Sequence, residues 1–120
     1  MVTADDVREI ALSLPRAYEA LVRDRVKFRV GRIVFVSLSP DETEMGFGYP
    51  KEERDALIAS EPEKFQLPYK ADMRYNWVRV WLSQIDYDEL HELVVGSWRM
   101  TVSKKTWEEY QASLRAGSAL

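Results

Sequence analysis

Arg23, Arg25, Lys27 and Arg29 stand at every second position, and Arg32 follows shortly after. Alternation is the period of a β-strand, so cations at this spacing project from one face. A row of guanidinium and ammonium groups along a two-stranded ribbon suits phosphates. It can follow a nucleic-acid backbone, and a β-ribbon can enter a major groove. Each neutralised phosphate would release counterions and make binding fall with salt. The same residues admit a structural reading. Val34 and Val36 lie opposite the row, so the arginine stems can lie across apolar surface while their heads pair with Glu42, Glu44 or acids on a helix.

A second cluster interleaves rings and bases: Tyr69, Lys70, Arg74, Tyr75, Trp77, Arg79 and Trp81. Such a pattern suits stacking on exposed bases or cation–π pairing. The alternative is that Trp77 and Trp81 pack under the last helices with Trp98 and Trp107, leaving Lys70, Arg74 and Arg79 as a basic rim.

Little points to catalysis. The single histidine, His91, lies between Leu90 and Glu92 on a predicted helix, where it reads as a helix-flank residue near the core edge. A triad needs a nucleophile, a base and an orienting group, and no such set is visible. There is no Gly-Lys-Ser/Thr loop, and Gly46-Phe47-Gly48 lacks the third glycine and helix-opening context of a nucleotide fingerprint. Those glycines read as positions where a helix or a neighbouring backbone packs close to a sheet. No acidic cluster has a metal-ligand spacing. The absence of cysteine excludes disulfides, thiolate metal sites and a cysteine nucleophile. A non-enzymatic binding protein without cofactor or metal is expected.

The elements that must position these residues follow from periodicity and punctuation. Thr3, with Asp6 three residues on, caps a helix whose Val7, Ile10, Ala11 and Leu14 share a face, and Pro15 stops it. Residues 17–49 read as strands. Val26, Phe28 and Val30 alternate with the cations, and Gly31-Arg32 makes a two-residue type II′ turn that sets Val30 against Ile33, Phe28 against Phe35 and Val26 against Ser37. Met45, Phe47 and Tyr49 alternate with Glu44, Gly46 and Gly48. Pro50 opens a helix through Ser60 with Leu57 and Ile58 inward. Residues 60–65 read as a turn and 66–76 as a polar, aromatic loop. Residues 76–82 read as a strand with Trp77, Arg79 and Trp81 on one face. Asp86 caps a helix whose buried stripe is Leu90, Leu93, Val94, Ser97 and Trp98. Ser103 restarts a last helix with Trp107, Tyr110 and Leu114 on one side, ending near Gly117. Strands grouped together predict an α+β fold with an antiparallel sheet of about five strands.

The chain has 120 residues, 46% hydrophobic and 31% charged, which fits one domain with a real core. Net charge is −3, mildly against a nucleic-acid binder, but the charge is polarised. Residues 23–32 hold five bases and one acid, whereas residues 33–64 hold three bases and eight acids. Such polarity can steer a partner. Acids near the N-terminus do not fit a signal peptide, and no apolar run reaches the length of a membrane span. A monomeric cytoplasmic protein is expected, with no membrane contact.

Ser13-Leu14-Pro15 after a short helix, Lys27-Phe28-Arg29-Val30-Gly31 leading into Val34-Phe35-Val36, and Tyr49-Pro50 opening a helix together resemble the MmcQ/YjbR family. So do Asn76-Trp77-Val78 before a strand and a helix carrying Leu90, Leu93, Val94 and Trp98. The resemblance spans about residues 3–105 and implies one domain over residues 1–120, with 106–120 a helical extension. It implies an α+β fold of double-wing or secretion-chaperone shape. The family is named DNA-binding largely because that shape resembles a transcription factor's wings, so the name carries a fold more safely than a function. Its loop before Trp77 usually carries a histidine and lysines, where this chain reads Ala71-Asp72-Met73-Arg74-Tyr75, which weakens the DNA reading. On the DNA reading the contacts are Arg23, Arg25, Lys27, Arg29, Arg32, Lys70, Arg74 and Arg79. The competing expectation is a chaperone-like adaptor that meets a protein partner through its acidic stretch or its last helix.

Overall fold

The computed structural model describes residues 1–118, which run as α1 (Ala4–Leu12), β1 (Ala17–Val22), β2 (Arg25–Val30), β3 (Ile33–Leu38), β4 (Glu44–Gly48), α2 (Lys51–Ser60), β5 (Phe65–Gln66), β6 (Trp77–Trp81), α3 (Tyr87–Arg99) and α4 (Lys104–Ser118). The strands form one sheet in the order β1-β2-β3-β4-β6-β5, with every neighbouring pair antiparallel. The fold is α+β. The sheet has six strands where about five were expected. The additional one is β5, a two-residue strand inside the stretch that reads as turn and loop.

The caps form as their spacing predicts. The Thr3 hydroxyl accepts from the Asp6 amide and the Asp6 carboxylate accepts from the Thr3 amide, while Asp86 accepts from the Glu89 amide at 2.8 Å. α1 and α3 bury Val7, Ile10, Leu90, Val94 and Trp98 against one face of the sheet, which supplies Phe28, Val36, Met45, Phe47 and Val80. The Trp98 indole donates to the Pro15 carbonyl at 2.9 Å, tying α3 to the α1–β1 corner. α4 closes over Trp98 with Trp107 and Tyr110, at ring-centroid distances of 6.3 and 5.0 Å. Trp77 and Trp81 do not join them: they stand on the opposite face of the sheet from the core residues Val78 and Val80.

The turns set the registers. Arg23 (φ 51°) and Asp24 (φ 66°) are both left-handed, as a type I′ loop between β1 and β2 requires. Arg23 is therefore a turn residue, and the alternating row begins at Arg25. Gly31 (φ 60°) is the one left-handed residue of the next loop, in keeping with the predicted type II′ turn. Val30 pairs with Ile33 as expected, and then the register shifts. Phe28 lies opposite Val36 and Lys27 opposite Ser37, not Phe28 opposite Phe35 and Val26 opposite Ser37. Phe35 is the extra residue of a β-bulge. Strict alternation would have turned Ser37 to the core and Val36 and Leu38 away from it. The bulge inverts this, and Val36 and Leu38 are fully buried. At the next turn the Ser39 hydroxyl accepts from the amides of Thr43 and Glu44 and donates to Asp41. Hydrogen bonds from the hydroxyls of Thr43 and Ser39 hold the Asp41 carboxyl below its ordinary range, and β4 starts at Glu44.

Ser97 pins the bulge. Its hydroxyl, 1% exposed, donates to the Phe35 carbonyl and accepts from the Gly48 amide at 2.7 Å. Ser97→Ala would leave a buried carbonyl and a buried amide unpaired, and is expected to cost about 1–3 kcal/mol in urea unfolding. An unchanged midpoint would show that the register does not depend on this contact.

Candidate functional site

Helices cover one face of the sheet; a cleft of about 750 Å³ lies on the other and reaches round to Ser97, Met100 and Thr101 at the end of α3. Because side chains alternate along each strand, cross-strand pairing reads out its floor as a row. Lys27 lies opposite Ser37, Ser37 opposite Gly46, Gly46 opposite Arg79, and Arg79 opposite Gln66. On either side of that row, Glu44 pairs with Trp81 and Gly48 with Trp77.

The glycines are there for room. A Cβ on Gly46 would lie 2.6–2.8 Å from the Trp77 indole, so the Nε1 edge of the ring covers the glycine. A Cβ on Gly48 would lie 2.8 Å from the Ser97 hydroxyl, which is the close helix approach that the sequence suggested.

Residues 67–76 form one side of the cleft. Glu44, only 6% exposed, accepts from the Tyr69 hydroxyl on one carboxylate oxygen and from Arg79 at 2.8 Å on the other. Arg79 also donates to the Leu67 carbonyl at 2.8 Å. Its guanidinium lies 4.1 Å from the centre of the Tyr69 ring, and that of Arg25 lies 5.7 Å from it. Tyr69 is thus held by its hydroxyl and by two cations at its ring.

Arg54 on α2 secures the far end of the loop. It is 7% exposed and donates to the carbonyls of Met73, Tyr75 and Trp77 at 3.0–3.2 Å. Asn76 accepts from the Lys51 amide at 3.0 Å and so caps α2.

Of the residues expected to contact a nucleic acid, Arg25, Lys27, Arg32 and Arg79 line the cleft. Among the described residues, Arg79 has a carboxylate within 4.0 Å, whereas Arg23, Arg25, Lys27, Arg29 and Arg32 have none. Glu42 does not pair with the row, and Glu44 is taken by Arg79 and Tyr69. The anticipated neutralisation of the cations does not occur. Arg29 is half-buried with an unpartnered Nε. Lys70 lies on a short exposed turn outside the cleft lining. Arg74 folds onto its neighbour Tyr75, 4.8 Å from the ring centre. His91 is exposed on α3.

Sequence reasoning missed three contributors, Ser37, Tyr69 as a hydrogen-bonded residue and Arg54, and it gave Glu44 to the hairpin row where Arg79 takes it. Arg54 had a signal, since it precedes the inward Leu57 and Ile58 by three and four residues and so shares their helix face. Ser37 had none without the bulge.

A family model, YjbR, matches residues 12–100. The chain belongs to the YjbR family. The matched stretch runs from the end of α1 to the end of α3 and contains the cleft's strands and loop, while α4 lies beyond it. The YjbR domain is also similar in structure to the Deinococcus radiodurans protein DR2400, whose crystal structure is described by a DUF419 domain. The TM-score is 0.75 at 22% identity, covering 91% of this chain and 88% of that one. That likeness carries the fold. No curated protein matches the sequence significantly.

The packing of Trp77 on Gly46 gives a double-mutant prediction. Gly46→Ala should destabilise the wild type by about 1–3 kcal/mol through overpacking, and by much less when Trp77 is already alanine. Equal costs in the two backgrounds would mean that the indole does not rest on Gly46.

Proposed function

We propose that this YjbR domain is a non-enzymatic nucleic-acid-binding module, and that the strand lies in the cleft on the open face of the sheet. The observation that carries this reading is the set of cleft cations without carboxylate partners. Arg25, Lys27 and Arg32 line a concavity that also presents Tyr69, Tyr75 and Trp77. Cations that track a backbone, next to rings on which bases stack, are the two components of single-strand binding.

The shape of the cleft favours one form of nucleic acid. β2 lies between β1 and β3 in the sheet, so its basic row belongs to a concave wall and not to a free two-stranded ribbon. A duplex is read by elements that protrude into a major groove about 12 Å wide. A single strand fits the shape better. The overall charge of −3 does not oppose this, because local potential governs encounter.

Binding without chemistry is supported by the state of Glu44. It is the buried carboxylate of the cleft, and both its oxygens are engaged, by Tyr69 and by Arg79. α4, which was expected to offer an extra contact surface, turns its Trp107 and Tyr110 onto Trp98.

Single-stranded oligonucleotides should bind at low salt with a log–log salt slope of about −2, the value for three phosphate contacts. Charge reversal at Arg25 and Lys27 together should abolish this binding in a protein whose circular dichroism is unchanged. Arg115→Glu on α4, half that change in charge, should leave affinity within about twofold. Binding that ignores salt, or that survives the double reversal, would remove the proposal.

A further inference from the structure

Ser37 is 9% exposed, and among the described residues its hydroxyl has no hydrogen-bond partner. The hydroxyl is not sealed in: it opens onto the cleft floor, free to donate to or accept from what the cleft holds. The register aims it there: Ser37 sits between Lys27 on one neighbouring strand and Gly46 on the other, and all three line the cleft. Lys27 and Arg25 lack carboxylate partners. A hydroxyl donor beside an ammonium and a guanidinium is a seat for a phosphate oxygen, which accepts from all three. Beyond Gly46 the floor changes character. The Nε1 edge of the Trp77 indole covers that glycine, and its N–H, open to solvent, has no partner among the described residues. Tyr75, 51% exposed, stands on the same wall. Polar, charged donors on one side and a ring surface with a spare donor on the other describe a ligand with an anionic end and a flat aromatic end.

We infer that the cleft seats one unpaired nucleotide, its phosphate on Lys27, Ser37 and Arg25 and its base against Trp77 and Tyr75. This deepens the nucleic-acid reading and rests on it. The volume of about 750 Å³ lies in the range of small-ligand sites. The shared chemistry is a nucleoside phosphate, which can belong to a strand or to a free nucleotide.

The test uses the full chain and three probes, AMP, adenosine and inorganic phosphate, read by tryptophan fluorescence and calorimetry. AMP should quench saturably and bind at least about tenfold more tightly than either fragment. The quenching should vanish in Trp77→Phe, which keeps a ring to stack on, while calorimetric binding persists. Ser37→Ala should weaken AMP several-fold and adenosine hardly at all. A single-stranded oligoadenylate then separates the sources. If it binds more tightly than AMP with the same quenching, the seat serves a strand. If AMP binds and the oligonucleotide does not, the seat stands and the nucleic-acid reading falls. If single strand and duplex bind alike while AMP leaves Trp77 unquenched, the seat falls and the broader reading stands. AMP no better than phosphate, or matched by an oligoglutamate peptide, would overturn the nucleotide seat.

Discussion

Phe35 is the extra residue of β3 opposite the Phe28–Arg29 step, held there by the Ser97 hydroxyl on its carbonyl, and the open face of the sheet follows from that register. A slip of one residue exchanges the two faces of a strand. With the bulge in place, Val36 and Leu38 join the core and Ser37 joins Lys27 at the cleft. Ser97 also accepts from the Gly48 amide, so a single side chain of α3 fixes both β3 and β4. Helix packing on one face thereby determines the chemistry displayed on the other.

The electrostatics of the cleft rest on an uneven division. Glu44 is shared by Arg79 and Tyr69, which builds the wall and neutralises one arginine. The hairpin cations Arg25, Lys27 and Arg32 have no carboxylate within 4.0 Å among the described residues. Paired charges hold the loop in place, and the paired and unpaired sets meet at the Tyr69 ring, which both Arg79 and Arg25 approach. Arg54 plays a comparable structural part behind the loop, where three backbone carbonyls are its partners. A buried cation without a counter-ion needs such acceptors to be tolerated.

Much of the fold was legible in the sequence because caps, turns and alternation are local signals. Thr3, Asp86, the Gly31 turn and the period of Trp77, Arg79 and Trp81 all read correctly. Three features were not legible. Arg23-Asp24 contains no glycine, so its left-handed turn was hidden and Arg23 was placed on the strand. β5 has two residues, too short for any periodicity. The bulge at Phe35 follows from the fit of α3 against the sheet, a tertiary preference that overrides strict alternation. The consequence for the site was specific: the row at Arg25, Lys27 and Arg29 was visible, but its neighbour Ser37 was assigned to the wrong face. The four tryptophans, expected to pack together, divide between the two faces of the sheet because Trp77 and Trp81 lie out of phase with the core residues Val78 and Val80.

The central claim is that the open face of the sheet is the binding surface. It is tested most directly by mapping amide chemical-shift changes while a single-stranded oligonucleotide is added to the full chain. The account predicts that the largest changes fall on Lys27, Ser37, Gly46 and Trp77. Changes confined to β1 or α4, with those four amides unmoved, would contradict it.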